Sequence, residues 1–151
     1  MRAGAGSVSV TFERATASDT SALLVLVKDN GLTTEGLAEH VQTTMVAREG
    51  GRIVGSAGLE VYADGALLRS VAVAADRRGT GLGHRLTGAA MDLARELGVR
   101  TLFLLTTTAE HYFPKLGFER IERADVPAGV QQSIEFRGAC SASAVVMRRH
   151  I

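Results

Sequence analysis

The chain lacks most of what commits a sequence to the cell exterior or to a membrane. One cysteine in 151 residues allows no internal disulfide, which excludes a disulfide-stapled scaffold and suits a reducing cytosol. No apolar run approaches the roughly 20 residues that cross a bilayer. The opening Met1-Arg2-Ala3-Gly4-Ala5-Gly6 is small and polar and has none of the apolar core of a signal peptide. A formal net charge of +1 provides no field for nucleic acid or an anionic membrane. The histidines, at positions 40, 84, 111 and 150, have no metal-ligand spacing, so no metal is expected. There is no repeat, linker or low-complexity segment. These exclusions leave one cytoplasmic domain over residues 1–151, long enough to bury a core and suited to a small-molecule partner.

What the chain does have is a glycine-rich turn between two strongly patterned segments. Leu67 to Val73 reads as a strand, Asp76-Arg77-Arg78-Gly79-Thr80-Gly81 as a basic turn, and Leu82, Leu86, Ala89, Ala90, Leu93 and Leu97 recur at helical spacing. Such a turn leaves backbone N–H groups unpaired at a helix N-terminus, a ready socket for phosphate or pyrophosphate. Two phosphate-binding patterns are excluded. The P-loop needs a lysine after its last glycine, and none follows here. The dinucleotide fingerprint needs a third glycine, where the two possible registers supply His84 and Leu86. Arg-x-x-Gly-x-Gly fits the chain as Arg78-Gly79-Thr80-Gly81-Leu82-Gly83.

Around this turn, Val8 to Glu13 alternates as a first strand, and Ser18 or Asp19 caps a helix through Leu23, Leu24, Leu26 and Val27 that stops near Asn30-Gly31. A short helix is expected over Leu37 to Val41. Thr44 to Arg48 and Arg52 to Val61 form a hairpin around Glu49-Gly50-Gly51, with Gly55 and Gly58 hinting at a bulge. The long helix runs from about Gly81 to Leu97, and Thr101 to Leu105 is a short buried strand. Thr107 and Glu110 have capping-box spacing, predicting a short helix that Pro114 curtails before a strand after Gly117-Phe118. Pro127, Val130, Ile134 and Phe136 predict another short helix, and Ser143 to Arg149 the last strand.

The Arg78–Gly83 motif in its strand–turn–helix–strand setting resembles the acetyl-CoA motif of the GNAT N-acetyltransferase family. The resemblance implies an α+β fold: one domain with a mixed, mostly antiparallel sheet of about six to seven strands flanked by helices. Leu104 to Phe113 with Gly117-Phe118 looks like the amino-acid N-acetyltransferases of the N-acetylglutamate synthase type. Val126-Pro127 and Ser141 to Met147 extend that likeness, while Leu68 to Val73 and Glu135-Phe136 before Cys140 look most like the N-acetyltransferases associated with bacterial arsenic resistance. It implies acetyl-CoA as co-substrate, a small amine as acceptor and a homodimer. Three positions depart from the relatives' pattern. Phe113 stands where many members have a tyrosine, Leu67 where glutamate-acetylating relatives have a glutamate, and Ser141 or Ala142 where an arginine holds the substrate carboxylate.

The resemblance implies that Val71, Ala72 and Val73 pair with pantetheine like an added strand. Arg78, Gly79, Thr80, Gly81, Leu82, Gly83 and His84 would hold the pyrophosphate. Amides near Val73 would polarise the thioester carbonyl. Glu60 is the first candidate base, acting through water, or else an exposed strand-end carboxylate; Glu110 and His111 are rivals. Thr106 aligns with a hydroxyl that meets the departing thiolate, or is merely a polar strand end. Arg69 either clamps a substrate carboxylate or oxyanion or pairs with a neighbouring acid. Cys140, a lone thiol and so a poor site for trivalent arsenic, reads as a small residue packed beneath the last strand. Two other functions remain open: acetylation of glutamate or another ordinary amino acid, and a coenzyme A-binding sensor without catalysis.

Overall fold

A computed structural model of the chain describes residues 9–151; Val8 and the opening segment lie outside the described residues. Seven strands form a single sheet: β1 (Val10–Arg14), β2 (Thr44–Glu49), β3 (Arg52–Tyr62), β4 (Gly65–Val73), β5 (Thr101–Thr106), β6 (Glu119–Ile121) and β7 (Val145–His150). Their spatial order is β1-β2-β3-β4-β5-β7-β6, and only β4 and β5 run parallel. The α+β expectation and the strand count both hold. Two longer helices, α1 (Thr20–Asp29) and α2 (Leu82–Glu96), flank the sheet.

Local chemistry explains these boundaries. Thr16 and Asp19 cap each other ahead of α1, with the Thr16 N–H donating to Asp19 Oδ2 at 2.9 Å. At its far end Asn30 Nδ2 donates to Leu26 O at 2.9 Å. The β2–β3 hairpin turns through Gly50 and Gly51, at φ 57° and 82°, a conformation that side-chain-bearing residues rarely adopt.

Side-chain alternation along β5 divides the core between the sheet's two faces. Leu102 and Leu104 join the large core beneath α1 and α2, with Leu23, Val27, Leu59, Leu86 and Ala90. Phe103 faces the other way and packs with Leu67, Val126, Val130 and Val146. This second layer is built differently from the expected short helix. Residues Val130–Gln132 and Glu135–Ala139 form two separate tight turns, because Ser133 between them turns to ψ 139°, and Gly138 at φ 124° ends the helical course of the second.

Two irregularities shape the functional end of the sheet. β4 pairs with β5 only at Ala66–Leu102 and Leu67–Phe103, after which the strands part. In the β3–β4 ladder Ser56 faces Ala72 but Gly58 faces Arg69, so β4 carries an extra residue. That residue is at the bulge marked by Ser70, a non-glycine at φ 56°, whose carbonyl accepts the Ser56 hydroxyl at 2.7 Å. The bulge expected at Gly55 is present in the β2–β3 register, where β3 carries the extra residue. Gly58 serves close packing, since a Cβ there would lie 2.9 Å from Thr44 Oγ1.

Candidate active site

The parting of β4 from β5 opens a cleft of about 410 Å³. Its walls are the bulged half of β4, the end of β5, the Asn30–Thr33 segment after α1 and the Glu135–Cys140 turn. Val71 and Val73 are half-exposed along the open β4 edge, while Ala72 points into the core. The glycine turn adjoins this edge. Gly79 and Gly81 adopt φ 79° and 80°, and a Cβ on either would meet nothing within 4 Å. Their role is therefore conformational, and they leave the space over the N-terminus of α2 clear. No side chain caps that terminus at Gly81, so its N–H groups remain available to an anion.

The two arginines of the turn diverge. Arg77 is tied to Glu49 and, at 3.3 Å, to Asp76, which fixes the turn to the β2–β3 hairpin. Arg78 reaches the cleft side, donating to Asn30 Oδ1 at 3.2 Å. The same oxygen accepts the Val73 N–H at 3.4 Å. Asn30, expected only to end α1, thus sits where two groups expected to bind the co-substrate converge.

Beneath the cleft lies a buried ionic cluster. Arg69 has no exposed side-chain surface; its Nη1 donates to Glu60 Oε2 at 2.6 Å and its Nε lies 3.3 Å from Glu135 Oε2. Nη2 reaches Thr33 O at 3.4 Å and Nε also meets Ser70 Oγ at 3.2 Å. Arg69 also lines the cleft, but of the two roles open to it the observed contacts match pairing with neighbouring acids. Glu60 sits at the inner end of this pair, 1 % exposed, and does not line the cleft. It is therefore not an exposed strand-end carboxylate. Burial pushes its carboxyl up, but hydrogen bonds from Tyr62 (2.6 Å), Arg69 and Ser133 outweigh that and hold it below the ordinary range.

Thr106 ends β5 on the cleft wall. Its Oγ1 accepts the N–H groups of Ala109 at 2.9 Å and Thr108 at 3.3 Å, which leaves its hydroxyl proton free to be donated. In place of the capping box expected between Thr107 and Glu110, the Thr106 hydroxyl oxygen gathers the N–H groups of the turn. The helical turn between β5 and β6 is Phe113–Leu116, which begins beside Pro114 instead of being cut short by it. Glu110 and His111 lie outside the cleft lining; His111 is almost fully exposed. Tyr112 does line the cleft, and a Cβ at Gly83 would stand 3.2 Å from its hydroxyl oxygen. Phe113 packs edge-on against Phe118 in the core.

Cys140 also differs from expectation. It lines the cleft, half-buried, and its thiol donates to Glu135 Oε1 at 3.4 Å. Burial, followed by the Glu135 charge, pushes the thiol up to about 12, so it stays protonated. Glu135 is the cleft residue to which sequence reasoning assigns no role. No helical or strand periodicity announces it, because it sits in an irregular turn.

Comparison with known proteins places this geometry. The acetyltransferase (GNAT) domain family matches residues 40–120. An amino-acid acetyltransferase of Pasteurella multocida is 34 % identical over 139 residues, covering 85 % of this chain and 31 % of the relative. An amino-acid acetyltransferase of Mycobacterium tuberculosis is 35 % identical over 116 residues, covering 74 % of this chain and 64 % of the relative. The chain thus spans about a third to two thirds of the length of these relatives. Among solved structures, N-acetylglutamate synthase from Neisseria gonorrhoeae, complexed with coenzyme A and N-acetyl-glutamate, superposes with a TM-score of 0.81 at 22 % identity. That match covers 94 % of this chain and 35 % of that one, and it shows the shared fold. A Mycobacterium tuberculosis protein solved with CoA matches over 93 % of this chain and 99 % of its own, with a TM-score of 0.76 and 27 % identity. A sheet splayed between β4 and β5, with a glycine turn at its mouth, is the frame of an acetyltransferase domain. The chain belongs to the GNAT acetyltransferase family.

Proposed function

We propose that the chain, as one domain, transfers the acetyl group of acetyl-CoA to the amine of a small amino-acid-like substrate. The observation that carries this reading is the open β4 edge meeting the Arg78–His84 turn at one end of the cleft. Pantetheine would lie along Val71 and Val73 as an added strand, its pyrophosphate over the N-terminus of α2. The Val73 N–H would polarise the thioester carbonyl once Asn30 Oδ1 yields its place. The amine nitrogen attacks the carbonyl carbon, the C–S bond breaks, and the sulfur leaves with the electron pair. Thr106, whose hydroxyl proton is free, would supply a proton to that sulfur. Glu60 and Arg69 act as positioning residues: their buried pair fixes the floor under the bulge rather than touching substrate.

The acceptor is read from the relatives named amino-acid acetyltransferase and from the small size of the cleft. We take an amino acid bearing arsenic or phosphorus, in a resistance role, as the finer form of this proposal. Its support is the residue pattern from Leu68 to Val73 and Glu135-Phe136 before Cys140. Mass spectrometry of products from L-glutamate, other amino acids, phosphinothricin and an arsenic-bearing amino acid tests it. Acetylated phosphinothricin or arsenic compound is the expected product. Acetylation of glutamate alone would assign the chain to ordinary amino-acid metabolism instead.

A further inference from the structure

The buried cluster beneath the cleft holds two carboxylates and one guanidinium, with the part-exposed His40 Nε2 3.8 Å from Glu60 Oε1 on the side away from Glu135's contacts with Arg69 and Cys140. Arg69 is already balanced by Glu60 at 2.6 Å, its shortest contact. Glu135 is then the surplus acid. It is 5 % exposed, it lines the cleft, and its partners are one longer contact to Arg69 Nε at 3.3 Å and the weak donor Cys140 at 3.4 Å. Neither contact saturates a carboxylate, which has about four acceptor sites. A buried acid in this condition lacks a cation, and the side from which one can arrive is the cleft. The ammonium group of an amino-acid-like substrate is a cation of the required size and hydrogen-bonding capacity.

We propose that Glu135 is a catalytic residue that receives the substrate ammonium group and takes its first proton. The inference rests on the acetyltransferase reading above. The proton passes from R–NH₃⁺ to the Glu135 carboxylate, freeing the nitrogen lone pair for attack on the thioester carbonyl. The second proton, acidified once the C–N bond forms, reaches the departing sulfur by way of the Thr106 hydroxyl. Glu135 then releases its proton to water at the cleft mouth. The sum is R–NH₃⁺ plus acetyl-CoA giving the N-acetyl product, coenzyme A and one H⁺.

Electrostatics favours this assignment over Glu60. Burial first, then the Glu60 charge, pushes the Glu135 carboxyl above the ordinary range, against the opposing pull of Arg69 and the Cys140 hydrogen bond. A carboxylate raised toward neutrality is a better proton acceptor than one held down by two short hydrogen bonds. The charged and titratable groups around Glu135 are Arg69 on β4, Glu60 behind it on β3, and Cys140 in its own turn. Arg123 acts on Cys140 from the preceding segment.

The test compares wild type with Glu135→Gln and Glu135→Asp. The assay is thiol release from acetyl-CoA across pH, with the amino acid that wild type turns over fastest. Glu135→Gln should keep the acetyl-CoA-induced rise in Tm and lose on the order of a hundredfold or more in kcat/KM. Its acidic limb should move up toward the amine's own deprotonation, and Glu135→Asp should recover part of the rate. A purely structural role would lower Tm without moving that limb. Wild-type kcat/KM and an unshifted profile in Glu135→Gln would overturn the inference. A wild type that releases no thiol with any amine would instead remove the acetyltransferase reading, and this inference with it.

Discussion

At the residue scale, a few atoms decide what each polar group can do. Thr106 has two tasks in the proposal: its oxygen gathers the Thr108 and Ala109 N–H groups, and the hydroxyl proton this leaves free is the one offered to the departing sulfur. Thr106→Val removes both. It should cost about 1–3 kcal/mol of stability through the orphaned amides and lower kcat on the order of a hundredfold. Thr106→Ser should stay within a few-fold of wild type in both a thermal melt and a rate assay. Arg69 shows the limit of reading residues singly. Strand position placed it near the substrate, but the neighbours that consume its donors come from β3, from the Thr33 segment and from the Glu135 turn. Only the folded chain brings those together. Cys140 and Glu135 stayed illegible for the same reason, being partners across an irregular turn.

At the scale of elements, the legible parts were those with a strong local period or a fixed turn chemistry. The β2–β3 hairpin, α2 and β5 lie within a residue or two of their expected bounds, because glycine placement and apolar spacing dictate them locally. The segments after β5 and before β7, expected as short helices, hold only isolated tight helical turns. There, Thr106, Gly117 and Gly138 set turns whose stability comes from packing on the sheet rather than from helical periodicity. The glycine turn itself is a testable element. Gly79→Ala or Gly81→Ala puts a Cβ into open space but forces a left-handed backbone, at about 1 kcal/mol each. Tm should fall by about 2–4 °C, and the added Tm rise from acetyl-CoA should shrink further, because the new methyl faces the anion site. A melt with and without acetyl-CoA reads both effects.

At the scale of the whole molecule, the sheet order and the splay between β4 and β5 join two cores to one cleft. The protein's response to pH follows from the acids embedded in that frame. Asp19 is held low by the Arg48 hydrogen bonds and then by the Thr16 N–H, and Glu60 is held low by Tyr62, Arg69 and Ser133 despite its burial. Both carboxyls are therefore stronger acids folded than unfolded. Their stabilisation is full above the unfolded values near pH 4 and is lost as pH falls through the folded ones. Glu135 has the opposite sign. Its raised carboxyl costs stability once pH exceeds the unfolded value, and that cost fades as pH falls through the folded one. Tm of the free protein should therefore rise as pH falls through the raised Glu135 value and drop again below about pH 4, where Asp19 and Glu60 become protonated. Glu135→Gln should flatten the first part and leave the acid limb in place.

The central claim is that the cleft between β4 and β5 is a site of acetyl transfer to a small amine. Thiol release from acetyl-CoA by the purified protein, with and without amino-acid acceptors, tests it most directly. The account predicts steady release that requires both an amine and the protein, with N-acetylated product in equal amount. No release above the protein-free rate with any amine, alongside a normal acetyl-CoA-induced Tm rise, would contradict it and leave a coenzyme-binding module.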